Sequence, residues 1–145
     1  MVDVQAETVI NRPRPEVAGY AADPGNAPDW YSNIASVWWE TEPPQRVGSR
    51  VAFVAHFLGR TLEYTYQFTE FVPGASLTMK TAQGPFPMQT TYTWQDAGEG
   101  RTRMVLRNTG SPAGFSRVAG LVMAPMMRRE MRKDLARLKQ LLEAR

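Results

Sequence analysis

Leu62, Tyr64, Tyr66 and Phe68 take every second position of the stretch GRTLEYTYQFTEFVPG, residues 59–74, and Thr61, Glu63, Thr65, Gln67 and Thr69 fill the gaps. Successive side chains of a strand point to opposite faces of a sheet. This alternation therefore predicts a strand with one aromatic face and one wetted face. The aromatic face has to be covered, either by a solid core or by the wall of a hollow that holds something else.

The remainder of the chain supplies more of the same pattern and one candidate cover. Residues 1–10 alternate as a first strand, and Pro13 and Pro15 end it, with Pro15 suited to a first helical turn. A short helix is predicted over Glu16–Ala22 and a second helical turn over Pro28–Ser32, separated by the breakers Pro24, Gly25 and Pro28. From Ile34 onward, IASVWWET, SRVAFVAHF, the opening stretch, SLTMKTA, MQTTYTW and RTRMVLRNT follow at close spacing. Leu58-Gly59 reads as a tight hairpin and Pro73-Gly74 as a type II turn. This is the signature of an antiparallel meander. The last segment changes period: Met127, Met131, Leu135, Leu138 and Leu142 form one face of an amphipathic helix. Arg129, Arg132, Lys133, Arg137 and Gln140 fall on the opposite face, and Pro125 predicts a kink or a fresh helix start. The expectation is an α+β fold of seven antiparallel strands, two short helices after the first, and a long C-terminal helix covering the apolar sheet face. With 145 residues, no repeats and no long linker, residues 1–145 are expected to form one domain.

Charge and composition exclude several functions. There is no cysteine, which removes disulfides, thiolate catalysis and cysteine metal sites and fits a reducing, cytoplasmic setting. The start MVDVQAETVI lacks the basic and apolar regions of a signal peptide. The longest apolar run, Val118–Met127, is half of the about 20 residues needed to span a bilayer, so no stable membrane insertion is expected. Basic charge concentrates in residues 116–145, which hold eight Lys/Arg against three Asp/Glu. Glu130, Asp134 and Glu143 interrupt that stripe and no aromatic is interleaved, so it reads as a solvated face rather than a nucleic-acid surface. His56 is the one histidine, and strand parity puts it on the outer face. Glu40, Glu42, Glu63 and Glu70 likewise fall on outer faces or strand ends, so no carboxylate pair and no metal-ligand set is expected inside.

Three stretches carry a family resemblance. They are Ile10, Pro13, Val17, Tyr20, Asp23 and Trp30 in INRPRPEVAGYAADPGNAPDW, the run from Val47 to Thr81, and the helix RREMRKDLARLKQLLEAR at 128–145. In this order and spacing the chain resembles the START-like (SRPBCC) superfamily, and most closely its polyketide cyclase/dehydrase and lipid-transport branch. The resemblance implies a helix-grip fold, in which a curved antiparallel sheet wraps the C-terminal helix around a cavity. Ala18 and Gly19 stand where relatives often carry bulkier side chains, which implies a loosely packed first helix or a wider cavity mouth.

Parity and resemblance together give the expected ligand-binding residues. They are Phe53, Phe57, Tyr64, Tyr66, Phe68, Met79, Thr81, Met88, Thr90, Tyr92, Trp94, Met104 and Asn108 from the strands, with Met123, Met127 and Met131 from the helix. A greasy wall with scattered hydroxyls suits a hydrophobic or amphipathic small molecule such as a polyketide, a lipid or a quinone-like compound. The alternative is a cyclase or aromatase acting in the same cavity, for which the sequence offers no catalytic constellation. A buried Arg, Asp or His in the cavity would favour catalysis. No cofactor is implied, and self-association into a homodimer stays open.

Overall fold

The computed structural model describes residues 2–57, 59–111 and 117–145, the side chains of 117–122 excepted. The chain runs β1 (Val2–Ile10), α1 (Arg14–Ala21), a single 3-10 turn (Pro24–Asn26), α2 (Ala27–Trp30), β2 (Ile34–Trp39), β3 (Arg50–Phe57), β4 (Arg60–Val72), β5 (Ser76–Gln83), β6 (Met88–Asp96), β7 (Thr102–Gly110) and α3 (Arg117–Glu143). All seven strands join one antiparallel sheet in the order β1-β7-β6-β5-β4-β3-β2. The sheet curls into a half-barrel around α3, as the helix-grip expectation required.

Local chemistry explains the boundaries. Pro13 and Pro15 flank the start of α1. Asp23 caps the 3-10 turn by accepting the Gly25 N–H at 2.9 Å. Gly74 has φ +80°, and the Ala75 N–H donates to the Val72 carbonyl at 2.9 Å, as a type II turn at Pro73-Gly74 demands. Of the β3–β4 hairpin, Gly59 has φ +74°, and Leu58 lies outside the described residues. Pro125 neither ends nor restarts the last helix, because α3 continues through it.

The first helix packs closely. Val17, Ala18 and Ala21 are buried, and a side chain at Gly19 would meet nothing within 4 Å. The small residue at 18 thus fits against the body, and position 19 faces away from it.

The outer sheet face is less wet than alternation implies. Ala52 and Thr65 are cross-strand partners on that face and both are buried. The Thr65 hydroxyl donates to Glu40 at 2.8 Å. A bulge between Phe68 and Glu70 shifts the β4 register, so the partly buried Phe71 meets Phe68 edge-on instead of following its parity.

The end of α3 is clamped to the start of the chain. Arg12 donates from Nη2 to the carbonyls of Glu143 and Arg145 at 2.7 and 2.8 Å, satisfying acceptors that a helix end leaves open. Lys139 donates to the Val9 carbonyl at 2.7 Å, and Glu143 accepts the Asn11 N–H at 2.9 Å. Arg12→Ala is expected to cost about 1–2 kcal/mol. The check is amide hydrogen exchange, which should accelerate in the last turn of α3 and leave Met131 and its neighbours unchanged.

Candidate functional site

The interior has two halves. Towards the end of α3 it is solid: Ile10, Trp30, Met104, Leu106, Leu135, Leu138 and Leu142 are each no more than 1% exposed. Towards the start of α3 the sheet and helix part, and a cavity of about 430 Å³ opens between them. Its volume falls within the range of small-molecule sites.

The wall is built strand by strand. Val51, Phe53, Ala55 and Phe57 share one face of β3, and the last three line the cavity. Leu62, Tyr64, Tyr66 and Phe68 of β4 lie beside them, so the aromatic face of the opening stretch is cavity wall. Phe53 stacks on Tyr64 with centroids 5.4 Å apart, and Tyr66 meets both rings edge-on. Met79, Met88, Thr90, Tyr92 and Asn108 continue the wall across β5, β6 and β7, and Met123, Met127 and Met131 line it from α3.

Three expected residues are placed elsewhere. Trp94 and Met104 are cross-strand partners in the solid half, 3% and 0% exposed. They keep the inward parity of their strands but lie one or two pleats too far from the open end. The Trp94 indole N–H has no partner among the described residues. Thr81 is held by the backbone: its hydroxyl donates to the Met88 carbonyl at 3.1 Å and accepts the Met88 N–H at 2.9 Å. It extends the β5–β6 pairing beyond Lys80 and Gln89, where the backbone ladder stops. Gly84 permits the next turn, since a Cβ there would come within 3.0 Å of Thr81 and Tyr64 side-chain carbons.

The polar groups form two chains. Tyr66 OH lies 2.9 Å from Thr90 Oγ1, which donates to Asn108 Oδ1 at 2.7 Å. Because the Thr90 proton is committed to Asn108, Tyr66 is the donor to Thr90. Burial pushes the Tyr66 phenol up to about 12, against the lowering effect of that hydrogen bond. The second chain is the pair Tyr31 and Tyr92, whose hydroxyls are 2.6 Å apart. Both phenols are raised above the usual tyrosine value, chiefly by burial.

Asp134 corrects the reading of the basic stripe. Its side chain does not lie on the solvated outer face; the residue is 4% exposed and lines the cavity. Oδ1 accepts the backbone N–H of Ser32 at 3.0 Å. Burial raises its carboxyl from 3.8 to about 6, with a smaller upward push from Glu130, against lowering by Ser32 and Lys133. Glu130, one helical turn earlier, also lines the cavity and pairs with Lys133 at 3.5 Å. The spacing offered a signal for Asp134: it precedes Leu135 and follows Met131 by three, within the arc of the buried face. Tyr31 was equally legible as the neighbour of Trp30, on which its ring packs with centroids 4.1 Å apart. The rest of the stripe is exposed as expected, with Arg137 donating to the Asp29 carbonyl at 2.6 Å. His56 is exposed on the outer parity of β3, with Nδ1 3.2 Å from the Thr61 hydroxyl, and it reaches the cavity rim. Among the described residues no helix is long and apolar enough to cross a membrane, and no three His, Asp or Glu side chains gather as metal ligands.

Known structures share this architecture. A protein of Thermus thermophilus superposes with a TM-score of 0.82 at 20% identity, covering 98% of this chain and 97% of its own. The Zhui aromatase/cyclase of a Streptomyces species gives 0.80 at 14% identity, covering 97% and 93%. A START superfamily protein of Mycobacterium smegmatis gives 0.77 at 12% identity, covering 96% and 98%. At these identities the likeness establishes the fold. Comparison with curated proteins finds no significant match. The profile of one family matches residues 1–143, nearly the entire sequence, and on that match the chain belongs to the polyketide cyclase/dehydrase and lipid transport family.

Proposed function

We propose that this protein binds a hydrophobic or amphipathic small molecule in the cavity between the sheet and α3. One observation carries the proposal: the about 430 Å³ hollow lies above an otherwise tightly packed core and is walled by aromatic rings and methionines. An interior that could have been filled by larger side chains is left open at positions such as Ala55, Ala22 and Ala27. Methionines adapt their shape to varied occupants. The Tyr66–Thr90–Asn108 and Tyr31–Tyr92 chains supply the few polar contacts that orient a ligand in an apolar site.

The test combines native mass spectrometry of the expressed protein with a thermal-shift screen of aromatic polyketides, quinones and lipids. A ligand at 100 times its dissociation constant is expected to add about 2.7 kcal/mol, or about 8 °C in Tm for a domain of this size. Ala55→Phe places a ring inside the cavity, and it is expected to abolish the shift without lowering the Tm of the free protein. A shift that persists in Ala55→Phe would place the ligand elsewhere.

Asp134 supports a second reading, a cyclase-type enzyme. A carboxyl titrating at about 6 inside the cavity has the poise of a general acid or base near neutral pH. Turnover of a poly-β-keto substrate that Asp134→Asn abolishes, with binding retained, would establish catalysis. Recovery of unaltered ligand would leave binding alone.

A further inference from the structure

We propose that the cavity selects hydrophobic ligands whose polar end is a cationic hydrogen-bond donor, an ammonium group above all, and that Asp134 is its acceptor. The inference rests on the ligand-binding reading above and narrows the class of ligand. Asp134 is a charged group nearly withdrawn from water, yet no counter-ion pairs with it among the described residues. Its hydrogen bonds come from Ser32, whose backbone N–H donates to Oδ1 at 3.0 Å, and no Lys or Arg forms an ion pair with it among the described residues. A buried carboxylate without a counter-ion is costly, and a charge-assisted donor relieves that cost. A second carboxylate, Glu130, lines the same wall, and among the described residues no Lys or Arg lines the cavity. Lys133 is half exposed and faces Glu130.

The surroundings suit a cation further. Tyr64 and Tyr92 present rings to the same hollow, and a desolvated ammonium is attracted to the face of such rings. A fatty acid would bring a like charge toward Asp134 and Glu130, which disfavours the ionised form of both partners. The groups facing Asp134 are Ser32 and Tyr31 after α2, Tyr92 on β6, and Glu130 and Lys133 on its own helix. Burial raises the Asp134 carboxyl to about 6, so it is charged at neutral pH and mostly uncharged at pH 5. An alkylammonium keeps its charge at both.

The experiment compares decylamine, decanol and decanoate, which share one tail, by isothermal titration at about pH 7.5 and about pH 5, either side of that midpoint. At the higher pH decylamine is expected to bind about tenfold or more tighter than decanol, the worth of one charge-assisted hydrogen bond, with decanoate weakest. The preference for the amine should shrink at the lower pH. In Asp134→Asn it should collapse at both, while decanol binding persists and shows the cavity intact. If the variant binds none of the three, the wild-type pH comparison decides alone. Decanoate binding as tightly as decylamine, or an amine preference indifferent to pH and to the Asn substitution, overturns the inference and leaves the ligand-binding reading standing. Failure of all three to bind overturns both.

Discussion

Leu138→Ala is expected to lower the unfolding free energy by about 3 kcal/mol, and Met127→Ala by about 1 kcal/mol or less. Both residues belong to the same face of α3, but the half-barrel treats them differently. Leu138 is 0% exposed among Leu135, Leu142 and the strands of the solid half. Removing its isobutyl group forfeits transfer free energy and leaves a void that close-packed neighbours cannot fill. Met127 is partly buried and already borders the cavity, so truncation widens a space that exists. Only part of its apolar transfer term is at stake. Denaturant titration measures both, and a two-state midpoint shift at constant m would confirm that stability alone has changed. Equal losses at the two sites would refute the division of the interior into a solid and a hollow half.

Asp134→Asn is expected to stabilise the free protein at neutral pH by about 2 kcal/mol, with no effect below about pH 4. The sign follows from the direction of the shift. The carboxyl of Asp134 titrates at about 6 in the folded chain against 3.8 for the ordinary group. Below the lower value it is protonated in both states and contributes nothing. Above about 6 it is charged in both, and the folded state carries the desolvation cost. The full shift would correspond to about 3 kcal/mol. The cavity admits some solvent to the carboxylate, which reduces that figure. Asparagine keeps an oxygen to accept the Ser32 N–H, so the hydrogen bond at 3.0 Å survives the change. Asp3 and Glu143 are shifted the opposite way, mainly by Arg107 and by the Asn11 N–H. The difference between variant and wild type across pH therefore isolates Asp134, where the wild-type profile alone would mix opposing trends. A variant less stable than the wild type at pH 7, or a difference that does not close in acid, would show that Asp134 forms a stabilising ionic contact.

The sheet was legible in the sequence because period-two alternation is a property of each strand separately. Every strand from SRVAFVAHF to RTRMVLRNT reports its own inward face, and the long helix reports its covered face through Met131, Leu135, Leu138 and Leu142. Distance along the strand is not reported by alternation. Thr90 and Trp94 share a parity on β6, yet one lines the hollow and the other is packed beneath it. That distinction depends on how far α3 separates from the curled sheet, a property of the whole assembly. Thr81 shows a further limit, because its hydroxyl turned to the Met88 backbone at a point where the ladder had run out. Asp134 was obscured by chemistry, since a carboxylate among arginines and lysines reads as solvated until coordinates bring Ser32 to it. The bulge after Phe68 was equally invisible, because one inserted residue reverses the pattern without altering the composition.

Solid and hollow portions drawn from the same strands let selection act on them separately. On β6, Trp94 belongs to the packed half, whereas Met88, Thr90 and Tyr92 line the hollow. Substitutions at one end of each strand can therefore reshape the hollow and leave the packed half intact. A TM-score of 0.82 at 20% identity shows that the same scaffold is built from largely different residues.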